Sequence, residues 1–160
     1  NLCGVGESCD AYHVSAPDPT GAGAISAMEN ALESASLKPD EIGYLNLHGT
    51  GTPLNDMMEA KAVDTLFNDV PCSSIKPLTG HCLGAAGAME AGVCWLTLNT
   101  EEPNRLMPTH LWDGASDPDL PQLKLVSEGE TLAVRKSTYV MSNSFAFGGS
   151  NCSVVLGRCS

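Results

Sequence analysis

The sequence predicts an α/β fold with a mostly parallel sheet and helices on both of its faces. Three observations predict it. Short apolar runs with strand character alternate with stretches of helical periodicity. One later helical stretch, about 80 to 99, is apolar nearly all round and so belongs in the centre of a fold. The chain then closes on two strand-like runs joined at a glycine turn, "FAFGG". Its 160 residues suit one domain with a sizeable core rather than two.

The elements follow in order. Residues 1 to 15 read as a short strand running into a loop, and "APDPTGAG" is a Pro/Gly-rich loop that opens a helix. Ile25, Met28, Ala31, Leu32 and Ala35 recur at helical spacing, which predicts an amphipathic helix over 22–35. "LKPDEIG" is a turn, "YLNLH" (44–48) a strand and "GTGTPLND" a loop. Pro53 suits a first helical position, and Met58, Ala62, Val63, Leu66 and Phe67 mark the apolar face of a helix over 54–68. "PCSSIK" (71–76) reads as a buried strand. In the central helix, Gly80, Gly84, Gly87, Ala88 and Ala91 form a stripe of small residues that admits another backbone closely. Residues 100–122 are an irregular connection, "KLVSE" a strand, and 137–157 the closing strand pair. Right-handed crossovers would distribute the helices over both faces.

Composition narrows the function. The net charge is −11 with only eight Lys and Arg, which argues against nucleic acid as a partner, since phosphate neutralisation needs a basic face. No run of 18 apolar residues is present, so no membrane span is expected. Seven cysteines, odd in number and without CxxC pairs or zinc spacing, read as reduced, mostly buried thiols of a cytoplasmic protein. The chain starts at Asn1 with no Met and no signal-like segment, which reads as a processed chain or a fragment.

In such a sheet, ligands gather beyond the carboxyl ends of the strands. His48 ends one strand, Lys76 the next, and His81 follows five residues on. The Phe145–Gly149 turn ends a third strand, and Thr50 and Thr52 add hydroxyls beside His48. Each histidine alone is more simply read as structural, and a small-residue stripe as packing. Two imidazoles and an ammonium on consecutive strand ends point further. No carboxylate or cysteine stands at ligand spacing to them, so no catalytic metal is expected. "GHCLGAAG" lacks the ending of a phosphate loop. Neutral imidazoles and glycine-freed backbone N–H groups suit a developing enolate or tetrahedral oxyanion. No cysteine sits on a sharp strand-to-helix turn beside a basic group, so the chain lacks an activated nucleophile.

"NLHGTGTPLND", "SSIKPLTGHCLGAAGAMEA" and "SNSFAFGGSN" resemble the three C-terminal motifs of β-ketoacyl-acyl-carrier-protein synthases, condensing enzymes of the thiolase superfamily. "SCDAYHVSAPDPTGAG" resembles the segment ahead of them, so the likeness covers nearly the whole chain. It implies one C-terminal thiolase-like domain over 1–160, with a mixed, mostly parallel five-stranded sheet. It implies that the N-terminal half, which in the family carries the acylated cysteine, lies outside this chain. It implies decarboxylative Claisen condensation of an acyl thioester with malonyl-acyl-carrier protein, in fatty acid or related polyketide or polyene synthesis. Alternatives are a non-catalytic, chain-length-determining subunit of the same fold, or a binding module that has lost the chemistry. His48 and His81 match the two histidines that hold the malonyl thioester carbonyl. Lys76 matches the motif lysine that orients groups around the second histidine. Thr50 and Thr52 match hydroxyls that bind the phosphopantetheine arm. The Phe147 N–H matches an oxyanion donor and its ring a gate, with Phe145, Gly148 and Gly149 at the substrate entrance. Glu90, with Asn46, Ser142 and Asn143, resembles a structural site for a monovalent cation. Asp10 and His13 match a mobile loop near the entrance.

No cofactor of its own is implied, because phosphopantetheine arrives on the acyl-carrier protein. The implied partners are that carrier, the missing N-terminal half, and a second copy in a homodimer. Ala146 stands where many members have glycine. A Cβ disfavours positive φ, so a moving gate is expected to pivot at Gly148 and Gly149. Of the eight basic residues only Arg135 and Lys136 are adjacent, which predicts that the carrier-docking patch lies mainly on the missing half or across a dimer interface.

Overall fold

The computed structural model describes residues 1–100, 105–133 and 137–159, so Arg135 and Lys136 lie outside the described residues. The elements are β1 (Leu2–Cys9), α1 (Ala22–Ala35), β2 (Ile42–Asn46), α2 (Pro53–Leu66), β3 (Cys72–Ser73), α3 (Lys76–Thr79), α4 (Ala86–Asn99), β4 (Ser137–Phe145) and β5 (Ser150–Cys159). One five-stranded sheet runs in the order β1-β5-β4-β2-β3. It is mixed, as expected. β2 pairs in parallel with β3 and β4, whereas β5 pairs antiparallel with both β1 and β4. The long ladders are the antiparallel ones, so the parallel share is smaller than the strand–helix alternation predicts.

Alternating side chains serve the two faces of the sheet. Leu45 and Met141 join Met28, Leu32, Met58 and Val63 in the apolar cluster under α1 and α2. Tyr44 and Val140, one residue away, join Cys94 and Leu98 of α4 on the opposite face. α1 lies directly on β1 because Gly6 has no side chain: a Cβ there would stand 2.1 Å from the Ala27 carbonyl oxygen.

Three expected elements differ. The strand over 71–76 shrinks to two residues, because Pro77 favours a helical start and Lys76 opens a turn of helix instead. "KLVSE" contributes one parallel bridge, Leu125 to Cys72, and no strand. The expected helix over 80–99 is regular only from Ala86; Gly80 (φ 71°) ends α3, and Leu83 (φ 49°) holds the backbone left-handed before α4.

α4 is not central in this chain. It buries Ala86, Glu90, Cys94, Thr97 and Leu98 against the sheet, while Met89, Trp95 and Leu96 on its other side are exposed. Gly80 and Gly84 of the small-residue stripe face open space and meet no second backbone within this chain; of its three glycines Gly87 alone packs closely, on Ser144. No helix among the described residues is long and apolar enough to cross a membrane, and Cys3, Cys9, Cys72, Cys82, Cys94 and Cys152 are free.

Candidate active site

The parallel order β4-β2-β3 places three carboxyl ends side by side, and the chain leaving each builds one wall of a cavity of about 720 Å³. His48, Thr50 and Thr52 line it from the turn after β2. His81 and Leu83 line it from the approach to α4, Gly87 from the first turn of α4, Phe145 to Phe147 from the end of β4, and Ser15 to Pro17 from the loop after β1. The rings of His48 and His81 meet edge to face, with centroids 5.5 Å apart, and His48 meets Phe145 at 5.9 Å. His48 is buried, whereas His81 is exposed.

Each imidazole is oriented through Nδ1. The Lys76 ammonium, which has only donors, stands 3.4 Å from His48 Nδ1. The backbone N–H of Leu83 donates to His81 Nδ1 at 3.3 Å. With Nδ1 accepting in both rings, the proton of each neutral imidazole sits on Nε2. Burial first, then the Lys76 charge and then His81, lowers the His48 pKa from 6.5 to about 3, so this ring is neutral at physiological pH. Lys76 lies beneath His48 rather than in the cavity wall. It donates to the His48 carbonyl and pairs with Glu90 Oε1. Burial raises the Glu90 pKa, and the bond to Lys76 opposes that rise.

Glu59 escaped the motif reading. Its buried carboxylate accepts the backbone N–H groups of His48 and Gly49, each at 2.8 Å, and holds the turn that carries His48. Asn55 and Asn143 also donate to it, at 3.3 and 3.4 Å. A signal existed: Asn55 and Glu59, four apart, sit on the otherwise apolar inward face of α2.

The remaining expected residues are placed as follows. Thr50 and Thr52 share a hydroxyl hydrogen bond of 2.8 Å at the cavity rim. In the turn after β4, Ala146 is extended (φ −121°), and positive φ falls on Gly148 (83°) and Gly149 (80°), so alanine is accommodated without strain. Backbone bonds engage the N–H groups of Ala146, Gly148 and Gly149 and pass over that of Phe147, whose ring is exposed. Asp10 clips its loop to this turn: its N–H donates to the Gly149 carbonyl at 2.8 Å, and its carboxylate accepts from Asn151 and from the Asp18 N–H. His13, in the same loop, is exposed, and its Nδ1 accepts the Ser15 N–H at 3.1 Å.

Asn46 and Ser142 are register partners on β2 and β4. The Asn143 amide is committed to Glu59 and to the Ser153 hydroxyl, 2.8 Å away, so its side chain does not turn towards Glu90. Glu90 Oε2 and Ser142 Oγ are buried without a hydrogen-bond partner. Orphan hard oxygens of this kind fit a small hard cation. No group of three or more His, Cys, Asp or Glu among the described residues could hold a metal ion.

Known proteins resemble this chain over nearly its whole length. The family described as "Beta-ketoacyl synthase, C-terminal domain" matches residues 1–109. A mitochondrial 3-oxoacyl-[acyl-carrier-protein] synthase of Arabidopsis thaliana is 38% identical over 96% of this chain, which covers 33% of that protein. The 3-oxoacyl-[acyl-carrier-protein] synthase 2 of Coxiella burnetii is 39% identical over 98% of this chain and 37% of its own length. The chain thus spans about a third of the length of these curated relatives. Among solved structures, a ketosynthase in complex with its chain length factor from Xenorhabdus doucetiae superposes with a TM-score of 0.90 at 49% identity, over 99% of this chain and 39% of that one. The ishigamide ketosynthase/chain length factor gives 0.84 at 32% identity, over 99% of this chain and 38% of that one.

Proposed function

This chain belongs to the β-ketoacyl synthase family as its C-terminal domain, and from that premise we propose that it is the half of a condensing enzyme that stabilises charge during decarboxylative Claisen condensation. The observation that carries the reading is the pair of imidazoles, His48 and His81, facing each other across one cavity with Nδ1 of each already engaged. Two Nε2–H donors are left for a thioester oxygen. When malonyl thioester loses carbon dioxide, the electrons of the breaking C–C bond enter an enolate, and those donors hold its oxygen. The enolate carbon then attacks an acyl thioester on a cysteine supplied by the other half. The Phe147 N–H serves the resulting oxyanion, and collapse releases the cysteine thiolate. Thr50 and Thr52 bind the phosphopantetheine arm of an acyl-carrier protein at the rim. Phe145, Gly148 and Gly149 shape the entrance that Phe147 gates. Glu90 and Ser142 would hold a structural cation, with the Asn46 amide on the neighbouring strand; it takes no part in the reaction.

The reaction serves fatty acid or related polyketide or polyene synthesis. Two solved relatives are described as ketosynthases with a chain length factor. That favours pairing of the intact parent with a second, related subunit over the homodimer the motifs imply. The catalytic reading is preferred to the chain-length subunit because Lys76 ties His48 to Glu90 in one buried network, and His81 meets that same His48 ring across the cavity.

The test uses the full-length parent. His48→Ala and His81→Ala each lower condensation roughly 100- to 1000-fold, the cost of one oxyanion donor, while acyl loading of the cysteine persists. Normally folded variants that fail to load would move the histidines to nucleophile activation. Robust condensation by the 160-residue chain alone, lost on mutation of one of its own cysteines, would overturn the two-half reading.

A further inference from the structure

The irregular segment after α4 carries a histidine that no motif of the family resemblance includes. His110 is half-buried beside the end of β3, and its backbone is fixed on both sides. Its N–H donates to the Val126 carbonyl at 2.9 Å, and the carbonyl of Pro108, two residues earlier, accepts the Ser73 hydroxyl at 2.6 Å. From this platform Nδ1 accepts the backbone N–H of Ser74 at 3.1 Å.

Ser74 is the joint between the two segments that carry the catalytic machinery. It is buried, and its hydroxyl donates to the Gly49 carbonyl at 2.8 Å, in the turn that carries His48. The same oxygen accepts the Lys76 N–H at 3.3 Å. Lys76 in turn reaches the His48 carbonyl and Glu90. A shift of Ser74 therefore moves the His48 turn and the Lys76 segment relative to one another.

We propose that His110 is a positioning residue for condensation: by holding the Ser74 N–H on Nδ1 it sets the spacing between the His48 turn and the Lys76 segment. The inference rests on the condensation reading above. It requires a neutral ring, because a protonated Nδ1 would present hydrogen to hydrogen. Burial lowers the His110 pKa and favours the neutral form, whereas the Asp56 carboxylate of α2 opposes it. On its own segment the ring meets the edge of Trp112, with centroids 6.2 Å apart. On the β3 side the charged group is Lys76, whose ammonium is turned to His48 and Glu90.

The experiment compares the full-length parent with H110A and H110N, reading condensation kcat and KM, acyl loading, and hydrogen exchange of the Ser74 amide. The asparagine oxygen can accept where Nδ1 does. H110A is expected to lower kcat roughly tenfold, equivalent to ~1.4 kcal/mol, with KM and loading unchanged and Ser74 exchange accelerated. H110N recovers kcat to within roughly threefold, by the same conversion, and restores slow exchange. It also removes the acid-side loss of kcat that protonation of His110 causes in the wild type. Wild-type kcat and exchange in H110A would overturn the proposal, as would an H110N that keeps slow exchange yet stays as impaired as H110A. A parent that does not condense overturns the functional reading instead, and Ser74 exchange then decides the His110 contact by itself.

Discussion

Glu59 holds His48 by its backbone and not by its ring: Oε1 accepts the His48 N–H at 2.8 Å, and Oε2 takes the next N–H, that of Gly49. A buried carboxylate with four donors around it fixes the turn while leaving the imidazole free for Lys76 and the cavity. Glu59→Gln replaces one acceptor with an NH2 group that faces N–H donors. It is expected to destabilise the chain by about 1.5–3 kcal/mol, the range for hydrogen bonds to charged groups. Urea denaturation of the two proteins checks it.

His48 makes the fold sensitive to acid. Its pKa is 6.5 unperturbed and about 3 in the folded chain. Between those values the unfolded chain binds a proton that the folded chain refuses, so this group's contribution falls as pH drops. At pH 5 it amounts to about 2 kcal/mol lost relative to neutral pH. Glu59 and Glu90, raised by burial, act in the opposite sense. The readout is therefore the difference between wild type and His48→Asn at pH 7 and pH 5, with the variant losing less in acid.

Lys76 and Glu90 are expected to show strong coupling. Lys76→Met leaves a buried carboxylate unpaired and costs roughly 3–5 kcal/mol. Adding Glu90→Leu removes that burden and recovers much of the loss. Below the raised pKa of Glu90 the single variant also recovers, because the lone carboxyl is then neutral. A double-mutant cycle in chemical denaturation measures the pair, and additive effects would contradict the ion pair.

The turn after β4 ranks three substitutions. Ala146→Gly changes little beyond backbone entropy, because Ala146 is already extended. Gly148→Ala forces a Cβ into positive φ in open space and costs about 1 kcal/mol. Gly149→Ala adds contact with Asp10, whose Cβ would lie 3.0 Å away, and is the most damaging of the three. Thermal denaturation gives the order.

Thiol reactivity follows burial. Cys72 and Cys94 are buried, and that burial pushes their pKa up to about 12, so neither offers thiolate near neutral pH. Cys9 and Cys82 are exposed. Brief alkylation of the native chain followed by mass mapping is expected to label Cys9 and Cys82 and spare Cys72 and Cys94.

Local sequence was enough for the elements whose signals are local. The 3.6-residue periods of α1 and α2, Pro53 at a helix start and the paired runs around "FAFGG" all appear in the structure. So does the convergence of His48, His81 and the Phe145–Phe147 turn on one cavity, because strand ends can be read from patterns and a parallel sheet aligns them. The length of β3 was not legible, since a two-residue strand has no period. Nor was the exposure of α4. Apolar residues all round report that a helix is meant to be covered on every side, and not whether this chain supplies the cover.

The sequence by itself determined the fold class, the order of elements and the residue types at the strand ends, because each is written in neighbours a few positions apart. Tertiary structure alone decided what each polar group does. It put Glu59 under the His48 turn, turned Asn143 to Glu59 and Ser153, set Leu83 against His81 Nδ1 and brought His110 to Ser74. Four of those five contacts join residues at least ten positions apart, and a buried donor or acceptor must take whichever partner the packed elements bring within 3 Å or so. No local pattern records that choice, since it is made by the meeting of strands and helices.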